Sequence, residues 1–132
     1  MSNASWALQV ATVDAVRAAV GAAVKVFDGQ APAETAFPYV VVGEKTIAPW
    51  DSLAVAGEDI DLTIHVWDQP TGSSAQECER VLGLIRGALN RKRLPLDGIG
   101  LRAVRVVFEH SFIEPDGRTR HGLIRIRALV RP

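Results

Sequence analysis

Hydrophobic and polar positions alternate most cleanly in DIDLTIHVWD, residues 59–68. Ile60, Leu62, Ile64 and Val66 take the even positions; Asp59, Asp61, Thr63, His65 and Trp67 take the odd ones. Side chains alternate across a strand, so this run predicts an interior strand of an antiparallel sheet, with one apolar buried face and one polar face open to partners. After the breaker QPTGSS, residues 74–89 switch to a helical period. Ala75, Cys78, Leu82, Ile85 and Leu89 form its apolar stripe, widened by Val81 and Ala88, and Ser74 with Glu77 has capping-box spacing. Gly83 and Gly87 lie four apart off that stripe, a spacing that permits close approach of another backbone.

The C-terminal third reads as two strands. Residues 103–111 put Val104, Val106 and Phe108 on one face and Arg105, Val107, Glu109 and Ser111 on the other. Residues 121–131 set Ile124, Ile126, Ala128 and Val130 against Arg125, Arg127 and Arg131, with Leu129 among the arginines. EPDGRTR (114–120) connects them, with Asp116-Gly117 as the turn dipeptide. In the N-terminal half, residues 6–20 predict a helix with Trp6, Val10, Val13, Val16 and Val20 on one stripe and Gly21 as its stop. A short strand is expected at 24–27 and another at 39–45, entered through Pro38. Residues 46–58 lack a sustained period and read as a long loop, with Trp50 near its middle, tucked over the sheet edge or offered to a partner. The expected fold is α+β: an antiparallel or mixed sheet of four to five strands with two helices packed on one face, in a single domain spanning 1–132.

Composition narrows the class. With 48% hydrophobic residues in 132, the chain has enough apolar surface for an ordinary core and is not disordered. Its apolar runs fall short of the roughly 20 residues that span a membrane, and no basic and apolar leader pattern opens it. Cys78 is the sole cysteine. It sits on the buried stripe with no histidine in helical reach, so it reads as a core hydrophobe in a chain suited to a reducing compartment. Net charge is zero but unevenly spread: residues 51–90 hold seven acidic and two basic side chains, and residues 91–132 hold ten basic and four acidic. The two sets either neutralise one another within one fold or meet between copies. NRKR (90–93) suits the negative end of a helix dipole.

The chemistry of an enzyme is missing from these patterns. No phosphate-cradling glycine motif is present, and His65, His110 and His121 have no metal-ligand spacing with each other or with Cys78. No nucleophile is tied to His65, and Asp59 and Asp61 read as partners for Arg125 and Arg127, not as an acid/base pair. No catalytic, cofactor-binding or metal-binding residue is expected. What stands out is surface: an acidic and aromatic face on 59–67 and a basic face on 121–131. Complementary faces on one subunit suit a head-to-tail ring, which places subunit contacts at Asp59, Asp61, Trp67, Arg125 and Arg127. The alternative is a nucleic-acid-binding module using the basic C-terminal hairpin together with NRKR.

Several stretches occur in a suggestive order: FPYVVVGE (37–44), Trp50-Asp51, DIDLTIHVWD (59–68), AQECERVLGLIRGAL (75–89) and VRVVFEHSFIEPDGRTRHGLIRIRALV (104–130). This resembles the tail-completion or tail-terminator proteins of long-tailed bacteriophages and the similar proteins of phage-like gene transfer agents. The resemblance implies a structural virion protein of the tail, assembled in the host cytoplasm, without an active site. It also implies a homo-oligomeric, usually hexameric ring on the head-proximal end of the tail tube. Such a ring terminates polymerisation of the major tail tube protein and meets the head-completion or connector protein on its other face. DNA passes through its lumen without specific binding. On that reading Trp50 and Asp51 in the 46–57 loop, with Asp116 and Arg118 at the hairpin tip, are candidates for contact with tube or connector.

Overall fold

The computed structural model describes residues 3–52, 55–72, 74–96, 99–101 and 103–131. Residues 53–54 of the expected loop and Ser73 of the breaker therefore lie outside the described residues. Helix α1 spans Ala4–Val20, strand β1 Lys25–Asp28, β2 Tyr39–Pro49, β3 Glu58–Asp68, helix α2 Gln76–Leu89, β4 Gly100–Leu101, β5 Arg105–Ile113 and β6 Arg120–Arg131. The sheet order is β1-β2-β3-β6, and the far edge of β6 is shared by β4 and β5. β1 pairs parallel with β2 and every other pairing is antiparallel, so the sheet is mixed. Both helices pack on one face, giving the expected α+β architecture, with the two-residue β4 added to five longer strands.

The β3–β6 pair is the centre. It runs in unbroken register from Glu58 opposite Val130 to Asp68 opposite Arg120. Ile60, Leu62, Ile64 and Val66 on β3, and Ile124, Ile126 and Val130 on β6, are fully buried toward the helices. Each such aliphatic side chain contributes about 1.5–3 kcal/mol through removal from water. They join Leu8, Val16, Ile85 and Leu89 in one core cluster.

The helices differ from expectation in detail. In α1 the Asn3 side chain accepts a hydrogen bond from the Trp6 amide and caps the first turn. Val13, Val16 and Val20 are buried as expected, joined by Leu8, Ala11 and Thr12, while Trp6 is 52% and Val10 42% exposed. Leu8 takes the core place expected of Trp6 and Val10, and the small Ala11 and Thr12 are buried beside it where α1 also packs against α2. Helix α2 buries the expected Cys78, Val81, Leu82, Ile85 and Leu89. Its capping box does not form: the helix starts at Gln76 after Ala75, the Ser74 hydroxyl accepts from the Gln76 amide, and Glu77 instead bridges Arg80.

Two β-bulges account for the remaining strand corrections. In β2, Gly43 and Glu44 together oppose the single residue between Leu62 and Ile64, and pairing resumes at Lys45 and runs to Pro49. The expected 46–58 loop thus shrinks to 50–57, because Thr46, Ile47 and Ala48 continue the ladder in the other phase. In β5 the register slips between Val106 and Phe108. Phe108 therefore leaves the apolar face and stands opposite Arg125 on the open side, 45% exposed.

Three glycines on or facing α2 behave in opposite ways. A Cβ at Gly122 on β6 would lie 2.9 Å from Cys78 Sγ and 2.9 Å from Leu82 Cδ1, so β6 and α2 approach closely only because residue 122 lacks a side chain. A Cβ at Gly83 or Gly87 meets nothing within 4 Å, so the close backbone approach expected at those two positions is absent in the subunit. Gly122→Ala should therefore destabilise by ~1–3 kcal/mol through overpacking, whereas Gly87→Ala should stabilise by ~0.5–1 kcal/mol through helix propensity. Urea denaturation of the two variants beside the parent protein checks the opposite signs.

Candidate functional site: the open face of the sheet

The face of the sheet turned away from the helices carries the odd-numbered residues of β3 and β6 and divides into two zones. The first is ionic. Arg127 donates two hydrogen bonds to Asp59, from Nε to Oδ1 at 2.8 Å and from an Nη to Oδ2 at 2.6 Å. The pair crosses β3 to β6 diagonally, since Asp61 is the direct partner of Arg127 in the ladder. The Arg127 guanidinium holds the Asp59 carboxyl below the usual aspartate range, burial opposing it. The Arg125 guanidinium lies over the Phe108 ring, 5.3 Å from its centroid.

The second zone is aromatic and imidazole-rich. Trp67 stacks on His121 with centroids 3.7 Å apart, and His121 also touches Phe112 and His65. Four side chains from three strands and a turn form a continuous hydrogen-bonded line. His65 Nε2 is 2.6 Å from Glu44 Oε1, His65 Nδ1 is 2.8 Å from His121 Nε2, and His121 Nδ1 is 2.6 Å from Glu114 Oε1. Burial pulls the His121 imidazole below its ordinary value, against the upward influence of Glu114. Burial pushes the Glu44 carboxyl upward, but hydrogen bonds from its own backbone amide and from His65 outweigh it, leaving a net downward shift. Beside this line, Gln30, Tyr39, Glu44, His65 and Trp67 help to line a groove of about 390 Å³. Among the described residues, no group of three or more His, Cys, Asp and Glu side chains is placed to hold a metal ion.

Two loops border the face. Trp50 donates its backbone amide to Gly57, Asp51 Oδ1 accepts from the Gly57 amide, and the Arg131 guanidinium sits 4.2 Å from the Trp50 ring centroid. A Cβ at Gly57 would fall 2.5 Å from the Trp50 carbonyl, so the β2–β3 turn closes only on glycine. At the β5–β6 tip, Asp116 accepts from the Thr119 hydroxyl and from the amides of Arg118 and Thr119, which holds its carboxyl at about 2. Gly117 supplies the left-handed residue, φ 72°.

The family model of the tail completion protein gp17 matches residues 8–131. This chain belongs to that family. The tail completion protein gp17 of Bacillus phage SPP1 is 31% identical over 94 residues, covering 71% of this chain and 68% of the relative. Among solved structures, a chain from the virion of a native gene transfer agent particle superposes with a TM-score of 0.84 at 22% identity, covering 100% of both chains. The structure of SPP1 gp17 superposes with a TM-score of 0.58 at 24% identity, covering 97% of this chain and 95% of that one. At these identities the superpositions speak for the fold; the family match makes the chain a structural protein of tail completion in a phage or phage-like particle.

Within this gp17-like subunit, the open face brings Asp59 to Arg127 and Arg125 to Phe108, and holds Trp67 apart from them in the aromatic zone. Asp59 and Arg127 meet inside one chain, which is the intrachain reading of their charges. Trp50 and Asp51, and Asp116 beside Arg118, sit on separate loops, and both acidic side chains close their own turns. Sequence reasoning overlooked Glu44, Phe112 and Glu114, and did not join His65 to His121. The alternation of Phe108, His110 and Phe112 was the available signal that β5 carries an aromatic face after its bulge. Arg127→Gln should let the Asp59 carboxyl titrate upward toward the ordinary aspartate value of 3.8. Carbon-13 NMR of the carboxyl checks this, at dilutions where a contact between copies would have dissociated; an unmoved midpoint would mean the pair does not form in the single chain.

Proposed function

We propose that copies of this chain assemble into a ring, hexameric in the family's usual manner, that caps the head-proximal end of the tail tube. The ring stops addition of the major tail tube protein and presents its opposite rim to the head-completion or connector protein. DNA crosses the lumen without specific binding. The role is structural and non-enzymatic, exercised in the virion after assembly in the host cytoplasm. The observation that carries the reading is the family match across residues 8–131. It is supported by a sheet whose second face holds Trp67, Phe108, Phe112 and Arg125 and is covered by neither helix.

In this arrangement the open face, with Asp59, Asp61, Trp67, Arg125 and Arg127, meets the neighbouring subunit. The β2–β3 turn with Trp50 and Asp51, and the β5–β6 tip with Asp116 and Arg118, reach the tube or the connector. Charge complementarity aids encounter and register more than it aids affinity. The nucleic-acid-binding alternative is weakened by partial neutralisation of the basic face, where Arg127 is engaged by Asp59.

Purified protein mixed with tail tubes assembled from the major tail tube protein provides the test. Electron microscopy should show a cap at one end only, and elongation from that end should stop. A protein that is monomeric at every concentration and ionic strength, and also leaves tube ends bare, would defeat the proposal. Arg125→Glu should weaken ring formation or capping by about 1–2 kcal/mol, roughly tenfold, through like-charge or lost cation–π contacts at the interface. Its thermal midpoint should stay close to that of the parent, because Arg125 is exposed.

A further inference from the structure

The Glu44–His65–His121–Glu114 line has a fixed proton requirement. Each outer imidazole nitrogen needs a hydrogen to meet its carboxylate at 2.6 Å, and one more hydrogen must lie between His65 Nδ1 and His121 Nε2 at 2.8 Å. Two neutral imidazoles carry one N–H each. With both carboxylates ionised, the complete line therefore holds one extra proton, and one imidazole is cationic. His121 is 8% exposed, and burial disfavours its charged form. The extra proton accordingly belongs to His65, which donates from Nε2 to Glu44 and from Nδ1 to His121. Neutral His121 accepts at Nε2 and donates from Nδ1 to Glu114.

We infer that this line is a one-proton latch on the open face: it is closed while the two imidazoles share a single extra proton, and a second proton opens it. The inference rests on the proposed use of that face as the subunit contact and names its regulation. On the rings a second proton can enter only at His121 Nε2, where it would confront the His65 Nδ1–H across 2.8 Å. Two donors then face each other and the rings must part. His121 is stacked at 3.7 Å on Trp67, so the movement is passed to the largest aromatic of the contact surface.

The groups facing the latch come from every neighbouring element. They are Glu44 and Tyr39 on β2, His65 on β3, Glu114 in the turn, His121 on β6, and His110 on β5 behind the Phe112 ring. The sign of the pH effect follows from His121 and Glu44. The folded His121 resists protonation, so the unfolded or opened chain takes up the proton first, and closed-face stability falls as pH drops below the ordinary imidazole value of 6.5. Glu44, also shifted down, adds a further loss below its ordinary 4.5. Acid therefore opens the face, and subunit association weakens by at most about tenfold per pH unit for one proton taken up.

Nitrogen-15 NMR of the histidine rings in the full-length protein reads the latch directly. When the line is complete, His65 should show two protonated nitrogens, and His121 a protonated Nδ1 with a bare Nε2. Below the ordinary imidazole value of 6.5 His121 should gain its proton, the Trp67 indole signal should shift in the same step, and association followed by light scattering should fall with it. His121→Phe keeps a ring against Trp67 and should remove the acid step in both readouts. Two histidines that titrate independently at ordinary midpoints, with Trp67 unmoved, would overturn the latch. A latch that titrates as described while association is pH-independent would overturn its coupling to assembly. Failure to cap tubes at any pH with the ring tautomers intact would instead tell against the ring proposal.

Discussion

The register of β3 against β6 is the constraint on which the rest of the subunit depends. Because side chains alternate with a period of two, a one-residue slip would carry Asp59, Asp61 and His65 into the core and expose Ile60 to Val66. The helix side fixes the register by burial: Ile60, Leu62 and Ile64 lie level with Ala128, Ile126 and Ile124, and Val66 with Gly122, under α1 and α2. The open side fixes it again by polar pairing, with the Asp59–Arg127 fork toward one end and the His65–His121 contact toward the other. Gly122 then sets how close α2 comes to this pair. One ladder therefore determines the core, the helix docking and the arrangement of the exposed face.

The bulges modify that ladder where the open face acquires its chemistry. Without the extra residue at Gly43-Glu44, residue 44 would simply continue the alternation of β2. The bulge brings the Glu44 carboxylate to His65, and a Cβ at residue 43 would meet the His65 ring at 3.1 Å. The slip at Val107 turns Phe108, His110 and Phe112 outward, opposite Arg125, Leu123 and His121. A bulge exchanges one paired residue for a change of face. Here both exchanges add side chains to the same surface, and both stand on strands that flank the central pair.

The regular elements were legible because burial imposes a period. The β3 alternation, the α2 stripe with Cys78 and the β6 alternation appear in the structure as the residues predict. Features that break a period were not legible. The phase change at its bulge hides the β2 extension to Pro49, and the slip in β5 likewise moves Phe108 off the face that simple alternation predicts. In α1, Val13, Val16 and Val20 are legible as core, but Trp6 and Val10 look like core by size alone and are exposed, while Leu8, Ala11 and Thr12 are buried. The imidazole line was invisible for a different reason. His65 and His121 are 56 positions apart, Glu44 and Glu114 come from a bulge and a turn, and only the completed sheet makes them neighbours.

The intrachain Asp59–Arg127 pair changes what charge can do between copies. A guanidinium held by two hydrogen bonds to a carboxylate already has its directional donors toward that carboxylate occupied, so a neighbouring subunit gains little by offering another one. For an arginine face to recognise a copy, its remaining attraction must be long-ranged and weak, which suits steering and orientation. Short-range affinity must come from surface that loses water on contact. On this face that surface is aromatic: Trp67 over His121, Phe112 beside them, and Phe108 under Arg125. Aromatic side chains with two rotatable bonds lose little freedom when covered, and Phe108 is already partly ordered by the guanidinium above it. The exposed face is thus better described as an aromatic surface with paired charges at one end than as two opposed patches of charge.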